Sequence, residues 1–209
     1  MWLKRVAKNL LPLSKSQTLQ VALKEWYYDG ICNDLGEPSA DCELCDHPEI
    51  KYQFEIENEF TGNKLLVGSE CITKFRIPVI EDDKVLSDKE AAKKVQEDRN
   101  KLIEAAKIKR VIEALVVLGS VDVYFTDKID RFIDYYKSRD GFTPRQLLVV
   151  LRGFKFKGIK FTKSDFKIKF RRHRERDQLL AMTNEEVKIL WDCLSKVQKL
   201  RYLKLKGEI

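Results

Sequence analysis

Residues 42–75 read CELCDHPEIKYQFEIENEFTGNKLLVGSECITKF, and this stretch decides the architecture of the first part of the chain. Cys42 and Cys45 have the two-residue spacing that lets two thiolates grip one ion from a tight turn. Tyr52, Phe54 and Ile56 alternate with Gln53, Glu55 and Glu57, the period-two pattern of a half-buried strand. Thr61-Gly62-Asn63 then turns the chain into Lys64-Leu65-Leu66-Val67, so residues 50–68 read as a β-hairpin. A hairpin returns the chain close to its start and brings Cys71 back toward Cys42 and Cys45. Gly68 or Ser69 starts a short helix whose first turn presents Cys71. Thiolate and imidazole are the ligands Zn²⁺ prefers, and structural zinc sites are nearly always four-coordinate. Cys42, Cys45 and Cys71 are therefore expected to hold a structural Zn²⁺.

Knuckle, hairpin and helix in that order describe a treble-clef-like finger. Its usual second helix ligand would fall near Lys74, which cannot serve. His47, beside the knuckle, and Cys32, ten residues before Cys42, are the two candidates for the fourth ligand. His47 is preferred, because a nearer ligand orders less chain on binding. A CxxC redox pair wants a strand-to-helix setting, which the Asp46-His47-Pro48 sequel does not provide. A catalytic zinc would need an open position and a carboxylate base, for which Glu43 or Asp46 could be named, yet nothing marks either as more than a loop charge. Cys193, between Trp191 and Leu194, reads as a small buried hydrophobe.

The same stretch resembles a zinc-finger-like motif of small proteins of bacteriophages, mobile elements and large DNA viruses. The resemblance rests on Cys42 and Cys45, on Ile50-x-Tyr52-x-Phe54, on Asn58, and on Val67-Gly-Ser-Glu-Cys71-Ile-Thr-Lys-Phe75. It covers one part of the chain only. It implies a metal-binding module and a viral or mobile-element context, and it says almost nothing about activity.

The composition limits the rest. The chain has 209 residues, of which 44% are hydrophobic, enough to build a core. The longest apolar run, residues 114–118, is far below the ~20 residues a bilayer span needs. Residues 1–13, MWLKRVAKNLLPL, lack the continuous apolar segment of a secretory signal. A cytoplasmic protein is expected, in the host cytosol if phage-encoded, and there clustered cysteines serve metals or redox chemistry rather than disulfides. Two histidines, no HExxH, no P-loop, no dinucleotide fingerprint and no nucleophile elbow argue against an enzyme.

Helical segments occupy most of the remainder. Hydroxyl-x-x-Glu/Gln boxes stand at Ser14…Gln17, Ser87…Glu90, Thr143…Gln146 and Thr183…Glu186. They predict a helix ending near Asp29-Gly30, a long helix over 88–118, one from Pro144 closed by Gly153, and a last one over 184–203. Another starts near Asp127. Residues 166–171 alternate as a second strand, and residues 154–157 do so more weakly. The expected fold class is α+β: an N-terminal helix and zinc-stapled hairpin finger over 1–80, then a mainly helical domain over 81–209 with a short basic β segment.

The net charge of +7 is uneven. From Gly141 to Ile209, 18 Lys and Arg face 7 Asp and Glu, a local +11, whereas residues 1–140 carry −4. Lys167, Lys169 and Arg171 would project from one side of a strand about 6.6 Å apart, close to the spacing of successive phosphates. Arg172, Arg174 and Arg176 extend the row. Salt-sensitive, weakly specific nucleic-acid binding is expected there, with Phe154, Phe156 and Phe161 in the core rather than stacked on bases. The alternative partner is an acidic surface on a host or phage protein, which would make the chain an interaction module.

Overall fold

Val6 and Leu10, four residues apart, are the buried positions of a basic helix, α1 (Trp2–Leu10). The structure, a computed structural model, describes residues 2–208 and combines helices with small antiparallel sheets, an α+β arrangement. The chain forms two compact units, one ending at Ala106 and the other beginning at Lys107.

In the first unit the segment after α1 departs from expectation. Only α2 (Leu19–Ala22) is α-helical, and a 3₁₀ turn over Leu23–Glu25 leads into the strand β1 (Trp26–Tyr27). Ser14 caps nothing. Its hydroxyl donates to the Leu10 carbonyl at 2.8 Å and accepts the Trp26 indole N–H at 2.8 Å. Trp26 and Tyr28 are both fully buried, which a strand permits at spacing two and a helix does not.

β2 (Cys32–Asp34) is a second strand that short polar residues concealed in the sequence. The expected hairpin forms from β3 (Tyr52–Asn58) and β4 (Lys64–Val67), and α3 (Ser69–Lys74) follows. Phe54 pairs with both Cys32 and Val67, and Glu57 with both Tyr27 and Lys64. β1 and β2 therefore lie along one edge of β3, with β4 along the other. A small ribbon of β5 (Ile80–Glu81) and β6 (Lys84–Val85) precedes α4 (Asp88–Val121).

The unit boundary falls inside α4 rather than at residue 80. Val95 of α4 belongs to the same core as Trp26, Phe54, Ile56, Val67 and Ile72. Lys94 reaches Glu81 at 2.8 Å, which ties the helix to the β5–β6 ribbon.

The second unit is mainly helical: α5 (Val123–Thr126), α6 (Ile129–Arg139), α7 (Pro144–Lys157), α8 (His173–Leu180), α9 (Asn184–Leu190) and α10 (Lys196–Lys206). Full capping boxes form at Thr143 and Thr183, as the sequence predicts. Gly153 does not end α7. A Cβ there would lie 2.8 Å from Phe125 Cε2, so the glycine lets the helix pass close to that ring. Gly158, at φ +64°, closes the helix. Residues 154–157 are thus helical rather than a strand, with Phe154 buried and Phe156 82% exposed, against the expectation that both are core.

The expected last helix is interrupted. A 3₁₀ turn over Trp191–Cys193 separates α9 from α10, which Ser195 and Gln198 cap with a box of their own. Residues 166–171 alternate in burial as a strand would, yet among the described residues they make only an isolated parallel bridge, Ile168 to Phe142. Among the described residues no neighbouring strand completes a ladder. Asp165 is buried and held by the Arg110 guanidinium through contacts of 2.7 and 3.0 Å.

Candidate metal centre and basic groove

The turn after Cys42 is built by the chain's own backbone. The Cys42 N–H donates to the His47 carbonyl at 2.8 Å, and the Asp46 N–H to the Cys42 carbonyl at 2.9 Å. Asp46 takes a left-handed conformation (φ 56°), which aspartate tolerates better than most residues. Glu43 binds the turn to β4: its backbone N–H donates to the Leu66 carbonyl, and its carboxylate accepts the Leu66 N–H at 2.6 Å. Asp46 accepts from the Asn9 amide at 2.8 Å and so engages α1. The two carboxylates named as possible bases are both committed to holding the turn.

α3 presents Cys71 to this turn. The Sγ atoms of Cys42 and Cys71 are 3.6 Å apart and those of Cys45 and Cys71 3.3 Å apart. All three cysteines are buried, and their sulfurs lie within 4.8 Å of one another, a candidate metal site. Two sulfurs on a tetrahedral zinc with bonds of about 2.3 Å stand about 3.8 Å apart, so the donor set fits such an ion in chemistry and spacing. Backbone N–H groups complete the environment: Gly68, Leu44 and Cys45 donate to the Cys42 sulfur, and His47 donates to that of Cys45.

The hydrogen bond with Cys71, followed by these N–H groups, brings the Cys42 thiol down to about 5 against the opposing effect of burial. The hydrogen bond with Cys42, followed by burial, pushes the Cys71 thiol up. Burial raises Cys45. A bound cation stabilises the thiolate form of all three sulfurs.

Neither of the other two ligand candidates joins the close set of sulfurs. His47 is exposed and lines, with the three cysteines, a cavity of about 450 Å³, but its ring nitrogens do not join the close set. Cys32 sits on β2 opposite Phe54, and burial raises its thiol. Cys193 is buried in the second unit, where burial pushes its thiol up to about 12.

The six expected cations divide into two sets. Lys167, Lys169 and Arg171 line a groove of about 750 Å³ in the second unit. Arg172, Arg174 and Arg176 do not line it. They belong to the start of α8, where the Glu175 carboxylate accepts the backbone N–H groups of Arg171 and Arg172, each at 2.9 Å, and ends the extended run. Lys107 and Arg201 complete the groove and were illegible in the sequence, standing sixty residues before and thirty-four after Lys167. Phe166, Ile168 and Phe170 also border the groove but are buried in the core of the second unit.

Among the described residues no helix is long and apolar enough to cross a membrane. Comparison with known proteins found no matching family model, no matching curated protein and no matching solved structure.

Proposed function

We propose that this chain is a zinc-stapled, nucleic-acid-binding protein in which the metal is structural and the basic face of the second unit takes the ligand. Cys42, Cys45 and Cys71 supply three thiolates, and His47, at the rim of the same cavity, supplies the fourth ligand. The viral or mobile-element context rests on the resemblance of residues 42–75 to the finger motif described above.

The observation that carries nucleic-acid binding is the convergence of Lys107, Lys167, Lys169, Arg171 and Arg201 on one groove that holds only Asp140 and Asp192 in opposition. Affinity then comes from neutralised phosphates and falls linearly with log salt. Native mass spectrometry should find one zinc per chain, and a mobility-shift series should show binding that weakens steeply with salt. A chain that retains no metal sinks the first half of the proposal. One that binds no nucleic acid at low salt sinks the second.

A protein-docking role is the second reading. Val123 and Phe156 are 90% and 82% exposed, and the Lys157–Asp122 pair at 3.6 Å joins the turns that carry them. Apolar side chains this exposed suit a partner surface. Absence of nucleic-acid binding together with a defined protein complex would favour it.

A further inference from the structure

We infer that the groove of the second unit binds the phosphodiester backbone of one single strand, with Lys107 and Arg201 as its walls, and that the arginines of α8 take no part. The inference rests on the nucleic-acid reading above and narrows it to one set of residues and one form of ligand.

Three separate segments deliver the cations. Lys107 comes from α4, Lys167, Lys169 and Arg171 from the extended run, and Arg201 from α10. The run is held open from behind: the Phe142 N–H donates to the Lys167 carbonyl at 2.9 Å, and the Lys169 N–H to the Phe142 carbonyl at 2.7 Å. From the α10 side, the Gln198 amide donates to the Ile168 carbonyl at 2.8 Å. These bonds fix the chain that carries Lys167, Lys169 and Arg171, so their stems start from a defined line.

The charge balance favours an anion. Five cations line the groove against two carboxylates, Asp140 and Asp192, a local excess of three. Asp140 engages Lys167 at 2.8 Å, and Asp192 engages Lys163 at 3.3 Å. A phosphate arriving between Lys169, Arg171 and Arg201 therefore meets cations from two walls at once. Guanidinium groups on both sides suit a phosphate's paired oxygens.

Form follows from shape and from what is missing. Cations converging on a concavity address a strand that enters it, as in other charged grooves that track a single-stranded backbone. The arginines at the start of α8 lie outside this concavity. Phe166, Ile168 and Phe170 border the groove but are buried in the core, so stacking adds little here and base identity goes unread.

Fluorescence anisotropy with a labelled single-stranded oligonucleotide, over a salt series, tests this. Lys107→Gln and Arg201→Ala should each weaken binding severalfold, and each should lower the slope of log affinity against log salt by about 0.7. Arg172→Ala, Arg174→Ala and Arg176→Ala combined should leave both quantities near the unsubstituted values. Unlabelled duplex should compete less well than an unlabelled single strand of the same number of phosphates. Circular dichroism and melting confirm that each variant is folded.

The inference is overturned if the combined α8 variant loses binding while Lys107→Gln and Arg201→Ala keep it, or if duplex competes equally. In either case nucleic-acid binding itself stands. No binding by the unsubstituted chain at low salt removes both together.

Discussion

The Tyr28 hydroxyl donates to Asp98 Oδ2 at 3.0 Å, a bond between two buried residues that joins the sheet region to α4. Lys101 and Lys94 approach the other carboxylate oxygen at 3.0 and 3.5 Å, so the aspartate is paired as well as hydrogen-bonded. Burial, followed by the neighbouring Cys32 and Asp98, raises the Tyr28 hydroxyl far above its ordinary value, and it remains a donor at any physiological pH. Tyr28→Phe deletes the donor and leaves a buried carboxylate oxygen unpaired. A hydrogen bond to a charged group is worth about 1.5–3 kcal/mol, so the first unit should lose stability on that order. Chemical denaturation monitored in the first unit reads it, and an unchanged midpoint would contradict the role given to this bond.

Glu25 governs how the first unit responds to acid. Burial pushes its carboxyl up, but the Asn58 amide and the backbone N–H groups of Lys15 and Ser16 together outweigh burial and leave it lowered. A carboxyl lowered on folding contributes stability above its unfolded value, near 4.5, and loses it as pH falls through the folded value. Glu25→Gln should therefore be less stable than the unsubstituted chain at pH 7. The gap should narrow as pH drops below 4.5. Denaturant midpoints for both chains between pH 7 and 3 check this, and a gap that is constant or grows in acid would be the wrong sign.

Gly153 tests the packing of the second unit. A methyl group there meets Phe125 Cε2 at 2.8 Å, Phe125 Cζ at 3.1 Å and Leu118 Cδ1 at 3.2 Å. Alanine raises helix propensity by up to about 1 kcal/mol, but overpacking a close contact costs about 1–3 kcal/mol. The clash is with an aromatic ring held in the core, so overpacking wins. Gly153→Ala should lower the melting temperature, whereas a solvent-facing glycine in a helix would gain from the same change. A rise in melting temperature would show that Phe125 moves freely.

What the sequence revealed and what it hid follow from range. The hairpin, the knuckle and Cys71 were legible because ligand spacing and strand alternation are local, and a hairpin links them by geometry alone. Tyr28 and Asp98 stand 70 residues apart, and Arg110 and Asp165 stand 55 apart, with nothing nearby to announce either partner. Residues 154–157 misled for another reason. Phe-Lys-Phe-Lys has period two over four residues, yet Leu147, Leu151 and Phe154 bury one stripe of α7 at helical spacing. For residues 166–171 the period was right and the ladder absent, because alternation reports burial and not the existence of a partner strand. The groove was half visible: the basic run is contiguous in sequence, but Lys107 and Arg201 arrive only through the packing of helices.

The proposed metal centre makes the largest prediction. Structural zinc contributes about 10–16 kcal/mol of apparent binding energy in small modules, comparable to or greater than the whole stability of a domain, about 5–15 kcal/mol. Cys42, Cys45 and Cys71 belong to the first unit's buried core and border one cavity, so loss of the ion would act on that core directly. Cys71→Ser, or a strong chelator, should release zinc and unfold the first unit, read as loss of metal in native mass spectrometry and of its melting transition. Cys32→Ser should keep one zinc per chain, because that thiol lies on β2 outside the close set of sulfurs. His47→Ala should weaken zinc affinity while leaving three sulfur ligands in place. Cys71→Ser with undiminished zinc would refute the three-thiolate site, and tight zinc lost only in Cys32→Ser would move the fourth ligand from His47 to the sheet.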